Sequence, residues 1–326
     1  MPYGYQPRLK GLYIATELII AVLAIIGNFL VCLAVICNKK LHTVTNYFLV
    51  SLAVADILVG LVAIPCAVLT DLGRPHHDLP LCLVLLSILM VLTQSSILSL
   101  LAVAAERYIA ILLPFQYQRV MSPRNAQRAL LVTWGLGAIS GSVPLMDWKR
   151  QPAGSEMHEE KINKYNIYMP PCLSSYCIFT CVVDMSYMVY FNFFCCLLVP
   201  LVAMFIIYGH IFLTVRRQLR RTRTSRQEIR KATSLFLVLF LFMVCWMPIH
   251  LINCVLLLRP QCEVPMSLTL AAILLSHANS ALNPILYAYR MRSFRHTLIG
   301  MWRRVRRLRP TPNSRYASQV TLPRSM

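Results

Sequence analysis

Residues 234–258 read SLFLVLFLFMVCWMPIHLINCVLLL and carry no formal charge. About 20 apolar residues cross the hydrocarbon core of a bilayer as a helix, so this stretch is long enough to span. Its polar residues are not scattered. Trp246, His250 and Asn253 follow one another at +4 and +3, which places them on one helical face. Polar groups are costly in lipid, so the stripe should face a protein interior or a water-filled cavity. Pro248 lies inside it, removes one backbone hydrogen bond and predicts a kink. The plainer alternative is a packing helix with a few satisfied polar residues.

Composition agrees with a membrane protein. Hydrophobic residues make up 57% of the chain and charged residues 13%, against about 25% charged in soluble domains. Seven apolar segments of spanning length are expected near 11–37, 45–70, 80–112, 127–148, 185–215, 233–258 and 265–289. The fold predicted is therefore an all-α membrane protein, a seven-transmembrane helix bundle over 11–289. Residues 1–10 form an outer N-terminus, too polar for a signal peptide, and the first span is expected to serve as its own insertion signal.

The net charge of +20 is gathered in a few inter-helix segments, which points to topology and away from nucleic acid. With the N-terminus outside, the inner segments hold Lys39, Lys40, Arg107, Arg119, Arg124 and Arg128, eight basic residues over 216–231 and ten from Arg290 onward; the outer segments hold eight, set against acids such as Asp71, Asp78 and Glu156. Residues 290–309 predict a basic amphipathic helix on the anionic inner leaflet, with Phe294, Leu298, Met301, Trp302 and Val305 on its apolar face; the alternative is a solvated basic tail. Residues 310–326, rich in Ser, Pro and Arg, are expected to be a disordered cytoplasmic tail. Of the 12 cysteines, Cys82, Cys172, Cys177, Cys181 and Cys262 lie at or beyond helix ends and are the disulfide candidates. No nucleophile motif, phosphate loop, metal-ligand cluster or internal repeat stands out, so no enzyme site is expected and no transporter-like repeat is seen.

Several spans carry isolated polar residues: Asn28, Asp56, Ser96, Asn279, Ser280 and Asn283. A lone Asp facing lipid is prohibitive, so these groups are expected to meet at the bundle centre. A carboxylate ringed by hydroxyls and amides suits a small hard cation such as sodium; a hydrogen-bonded core network is the alternative.

The set resembles the rhodopsin-like G-protein-coupled receptors. The likeness rests on Gly27-Asn28, LAVAD ending at Asp56, Glu106-Arg107-Tyr108, Pro200 in the fifth span, CWMP at 245–248 and NPILY at 283–287. Within that class the chain is most similar to adenosine receptors, through TQSSILSLLAVAAERY at 93–108, MSYMVYFNFF at 185–194, CWMPIHLIN at 245–253 and LLSHANSALNP at 274–284. The resemblance implies an extracellular nucleoside pocket. There Phe179 stacks on adenine, Asn253 holds the purine by two hydrogen bonds, Thr93 and His277 lie near the ribose, and Met188, Trp246, Ile249, His250 and Ile273 line the walls. It also implies a Cys82–Cys177 disulfide and a Glu17–His277 pair beneath the ribose. The purine fits the residues independently: an Asn amide complements the donor-acceptor edge of adenine, and a Phe supplies a stacking face. Thr180 departs from the Glu that most adenosine receptors carry there.

The implied mechanism is a population shift. Agonist favours a state in which the sixth span swings about Pro248, breaks an Arg107–Glu228 pair and opens an inner cleft for a heterotrimeric G protein, with Tyr208, Pro284 and Tyr287 rearranging. A cation at Asp56 favours the closed state. The competing readings are a receptor of this fold for another uncharged small ligand, and a membrane transporter or channel.

Overall fold

The structure is a computed structural model that describes residues 7–76, 78–146, 176–177, 179–221, 226–259, 261–262, 264–290 and 292–308. The spans are helices at Pro7–Cys37, Val44–Asp71, Leu79–Leu112, Pro123–Gly141, Tyr187–Leu198 continued by Val199–Arg221, Arg226–Leu258 and Met266–Arg290. A short helix, Pro114–Val120, joins the third span to the fourth, and Arg292–Leu308 follows the seventh. Helix starts carry the expected chemistry. Asp78 accepts from the Leu81 N–H at 3.0 Å, Thr43 and Ser122 accept from Asn46 and Asn125, and Pro80 and Pro123 occupy first turns.

Among the described residues five helices are long and apolar enough to cross a membrane: the first, second, third, fifth and sixth spans. The fourth is 19 residues long and begins with PRNAQR; the seventh carries Ser276, His277, Asn279, Ser280 and Asn283. Both are nonetheless bundle members. The fourth lies along the third, and the seventh lies between the first and the sixth. The seventh is polar because all five of those side chains are buried against protein. Large apolar residues cover the perimeter, among them Leu18, Val22, Phe29, Leu131, Phe205, Val244 and Leu251. A surface that apolar suits lipid and not water.

Prolines shape the backbone at several points. Pro284 has no N–H, so the Ser280 carbonyl one turn earlier loses its helical donor. The Asn28 amide fills that place, donating to the Ser280 carbonyl at 2.9 Å and to the Ala24 carbonyl at 2.9 Å. Gly27, one residue before, lets the Pro284 ring approach: a Cβ there would lie 2.9 Å from its Cγ. At Pro65 and Pro200 the chain widens into π-type turns instead, over Val59–Ala63 and Tyr187–Leu198. The last N–H before each proline, on Ile64 and Val199, reaches back five residues to Val59 and Phe194.

Phe48, Leu52, Ile97, Leu100, Leu197, Met204, Tyr208, Phe242 and Tyr287 belong to the largest core, at the end of the bundle that carries Arg107. The amphipathic helix joins that core. Phe294 is fully buried with its ring 6.5 Å from that of Tyr287, while Leu298 and Met301 pack beside it. Its expected apolar face is therefore divided, because Trp302 stays exposed. The side chain of Val305 and the tail from 309 lie outside the described residues. Asn38 donates to the Thr297 hydroxyl at 2.8 Å and fastens the same helix to the first span.

The third and fourth spans touch most closely at Gly137 and Gly141. A Cβ on Gly141 would strike the backbone and side chain of Val91, atoms that have no flexible end to move. Gly141→Leu is expected to destabilise the bundle by about 1–3 kcal/mol, read as a lower thermal unfolding midpoint in detergent; an unchanged midpoint would contradict this packing.

Candidate functional site

One end of the bundle is closed by a short two-stranded sheet. Strand β1, Gly73–His76, directly follows the second span and pairs antiparallel with β2, Tyr176–Cys177. Gly73 makes the turn possible with φ of 73°, a left-handed conformation that suits glycine. Cys177 is bonded to Cys82 at the start of the third span. A helical turn, Phe179–Val182, then leads toward the fifth span. Phe179 is half-buried and packs against a cluster formed by Cys82, Cys177, Leu83, Leu86, Met90, Val183, Tyr187 and Met188, among others. The sheet and bond thus fix the aromatic that sequence reading singled out. The side chains of Thr180 and Cys181, and all of Cys172, lie outside the described residues.

The stripe on the sixth span is inward-facing. His250 and Asn253 are buried and Trp246 and Ile249 half-buried, while Phe240, Val244, Leu251 and Val255 on other faces are exposed. His250 stacks on Phe193 of the fifth span, with centroids 5.2 Å apart at 21°, and neighbours Trp246 at 6.3 Å. Trp246 in turn meets Phe242 at 6.3 Å. An aromatic column therefore runs from Phe193 through His250 and Trp246 to Phe242, and Phe193 and Phe242 both belong to the large core. Thr93 donates to its own helix, at the Leu89 carbonyl (2.9 Å) and the Met90 carbonyl (3.0 Å). Ile273 is half-buried on the seventh span.

Glu17 and His277 meet. The Glu17 oxygens lie 2.8 and 2.9 Å from His277 Nδ1, with both side chains buried. One helical turn before Glu17, the Tyr13 hydroxyl donates to Asp71 at 2.6 Å. Asp71 counts in the sequence among outer-segment charges, but it is the last residue of the second span and takes part in this cluster. Nothing in spacing alone pairs Tyr13 with Asp71, because the contact crosses two helices.

At mid-bundle Asp56 is fully buried. Its two oxygens accept from the Ser96 hydroxyl at 2.8 Å and the Asn283 amide at 2.7 Å. Asn279 and Ser280 are buried on the same seventh span. Both oxygens are thus matched by uncharged donors.

Toward the other end, Glu106 is fully buried and Arg107 Nε lies 3.7 Å from it. Glu106 also accepts from the Thr45 hydroxyl and, at 2.7 Å, from the Tyr117 hydroxyl. Neither partner follows from the sequence, since both stand outside the motif. Burial and the bond to Glu106 hold the Tyr117 phenol above its ordinary range. The Glu228 side chain lies outside the described residues. The hydroxyls of Tyr208 and Tyr287 are buried without a hydrogen-bond partner among the described residues.

The Cys82–Cys177 bond closes a loop with a sequence separation of 95, and a cross-link of that span restricts the unfolded chain strongly. Replacing both cysteines by Ala is expected to lower stability by about 2–5 kcal/mol. Limited proteolysis would show it as faster cleavage near Phe179; an unaltered digestion rate would count against the tether.

Comparison with known proteins adds the family. Residues 27–287 match the family described as 7 transmembrane receptor (rhodopsin family). The chain is 43% identical over 304 residues to adenosine receptor A2a of Homo sapiens, covering 88% of this chain and 71% of that one. It is 46% identical over 296 residues to adenosine receptor A2b of Homo sapiens, covering 88% of each, and 45% identical over 299 residues to adenosine receptor A2b of Gallus gallus, covering 89% and 87%. This chain, a multi-pass plasma-membrane protein and not an enzyme, belongs to the rhodopsin family of seven-transmembrane receptors and within it to the adenosine receptors.

Proposed function

We propose that the protein is a cell-surface receptor that binds adenosine and changes adenylate cyclase activity through a heterotrimeric G protein. The observation that carries this reading is the tethered Phe179, packed against the apolar cluster that includes Met188 at the end of the bundle where Cys177 is bonded to Cys82, in a chain 46% identical to an adenosine receptor. That end faces outward, with the N-terminus outside, in keeping with the basic residues gathered in the opposite loops. The basic helix after the seventh span rests on the anionic leaflet, and nucleic acid is not a partner.

The chemistry follows from the side chains. Asn253 meets the adenine edge with a donor and an acceptor. Phe179 covers one face of the base. His277 faces a carboxylate with Nδ1, so that nitrogen carries the proton and Nε2 offers a lone pair to a ribose hydroxyl. Thr93, whose proton is committed to its own helix, likewise offers lone pairs.

Agonist contacts on the third, sixth and seventh spans favour an arrangement with the sixth span rotated about Pro248. The aromatic column from His250 through Trp246 to Phe242 gives that motion a packed route. At the inner end, Tyr208 and Tyr287 gain hydrogen bonds and Arg107 leaves Glu106 to meet the G protein. Asp56 with Ser96, Asn279, Ser280 and Asn283 would hold a sodium ion, whose charge would balance the buried carboxylate and favour the inactive arrangement. The site's donor set is one carboxylate, hydroxyls and amides, and it fits a hard monovalent cation.

Radiolabelled adenosine is expected to bind membranes containing the chain, and adenosine to alter cyclic AMP in transfected cells. Asn253→Ala and Phe179→Ala should each weaken binding by about 1–3 kcal/mol; undiminished binding in both variants would reject the purine site. Replacing choline chloride by sodium chloride should lower agonist affinity in the parent and leave Asp56→Asn unaffected. Equal sodium sensitivity in both would place the ion elsewhere.

A further inference from the structure

Two carboxylates stand close together at the outer ends of the first and second spans, and the structure divides two donors between them. Glu17 takes His277 Nδ1 at 2.8 and 2.9 Å. Asp71 takes the Tyr13 hydroxyl at 2.6 Å. Tyr13 is 3% exposed and Glu17 fully buried, and they sit four residues apart on one helical face. The Tyr13 hydroxyl therefore faces both acids. Asp71 faces Glu17, His277 and Lys10. A small cavity lined by Lys10, Tyr13, Asp71, Leu72, Met266 and Leu270 adjoins the cluster.

This sharing has an electrostatic logic. Two carboxylates near one imidazole compete for it, and the attraction is strong where water is scarce. The phenol of Tyr13 satisfies Asp71 and leaves His277 to Glu17 alone. Remove the phenol and Asp71 loses its donor while it still stands about one turn of the first span from the Glu17–His277 pair, whose Nδ1–H is the nearest replacement. The imidazole is then drawn between two acids, and Nε2 no longer holds a single direction.

We propose that Tyr13 and Asp71 are positioning residues for nucleoside binding: Tyr13 keeps Asp71 from competing with Glu17 for His277, and so fixes the ring nitrogen that meets the ribose. This rests on the adenosine-receptor reading above. Neither residue touches the ligand; both act through His277.

The test is competition binding on membranes containing the full chain, with adenosine and 2′,3′-dideoxyadenosine as probes. Tyr13→Phe is expected to weaken adenosine about tenfold, the cost of about one misplaced polar contact, and to weaken the dideoxy analogue much less. Adding Asp71→Asn to Tyr13→Phe should restore adenosine affinity to within about threefold of the parent, since the competing charge is gone. In a Glu17→Gln background, Tyr13→Phe should add no further loss. A purely packing role predicts neither the rescue nor the selectivity for ribose hydroxyls. Equal losses for both nucleosides, no rescue by Asp71→Asn, or full affinity in Tyr13→Phe would each overturn the inference. A parent chain that binds no nucleoside overturns the receptor reading as well, whereas binding by the parent with an indifferent Tyr13→Phe overturns this inference alone.

Discussion

Pro284 leaves the Ser280 carbonyl without a helical partner in the middle of the bundle, and the Asn28 amide takes the place of the missing N–H. In hydrocarbon an orphaned carbonyl costs several kcal/mol, so this one hydrogen bond decides whether the seventh span can contain its proline at all. Much follows from it. The first and seventh spans are held side by side, with Gly27 against the Pro284 ring. Asn283, one residue before the proline, then faces Asp56. Tyr287, one turn beyond, reaches the large core beside Phe294.

The disulfide end is built on another principle. Few long-range backbone bonds are available to a loop, so covalent and strand contacts do the fixing. Gly73 turns β1 toward β2, Cys177 bonds to Cys82, and Phe179 is delivered into an apolar cluster with Tyr187 and Met188. Polar pairs then decide the orientation of single side chains within that frame. Glu17 orients His277, and Tyr13 occupies Asp71.

Much of this was legible in the residues. The uncharged length of the sixth span demanded a bilayer, the +4 and +3 spacing of Trp246, His250 and Asn253 set its inner face, and the isolated Asp56 demanded polar company. Glu17 and His277 could be paired, because a carboxylate that deep needs a partner and few are available. Other features were not legible for definite physical reasons. Thr45 and Tyr117 reach Glu106 from a neighbouring span and a loop helix, and no periodicity relates them. The amphipathic helix divides its apolar face between protein and surroundings, since Phe294 fits a hole at the base of the seventh span that only the assembled bundle creates. Proline predicts a disturbance, but not which remedy the backbone adopts: a side-chain amide at Pro284, wide turns at Pro65 and Pro200.

The wide turns before Pro200 have a further consequence. Each one shifts the facing of every residue on its N-terminal side relative to the α-helical remainder of the fifth span. Met188, Asn192 and Phe193 are therefore not in helical phase with Tyr208, although one continuous rod carries them all. A one-residue insertion or deletion within 187–198 could be absorbed by tightening or loosening this segment, changing which groups look into the bundle there without turning Tyr208. The two halves of a single helix are in this way uncoupled, so that the side chains near Met188 can be re-aimed while Tyr208 keeps its alignment.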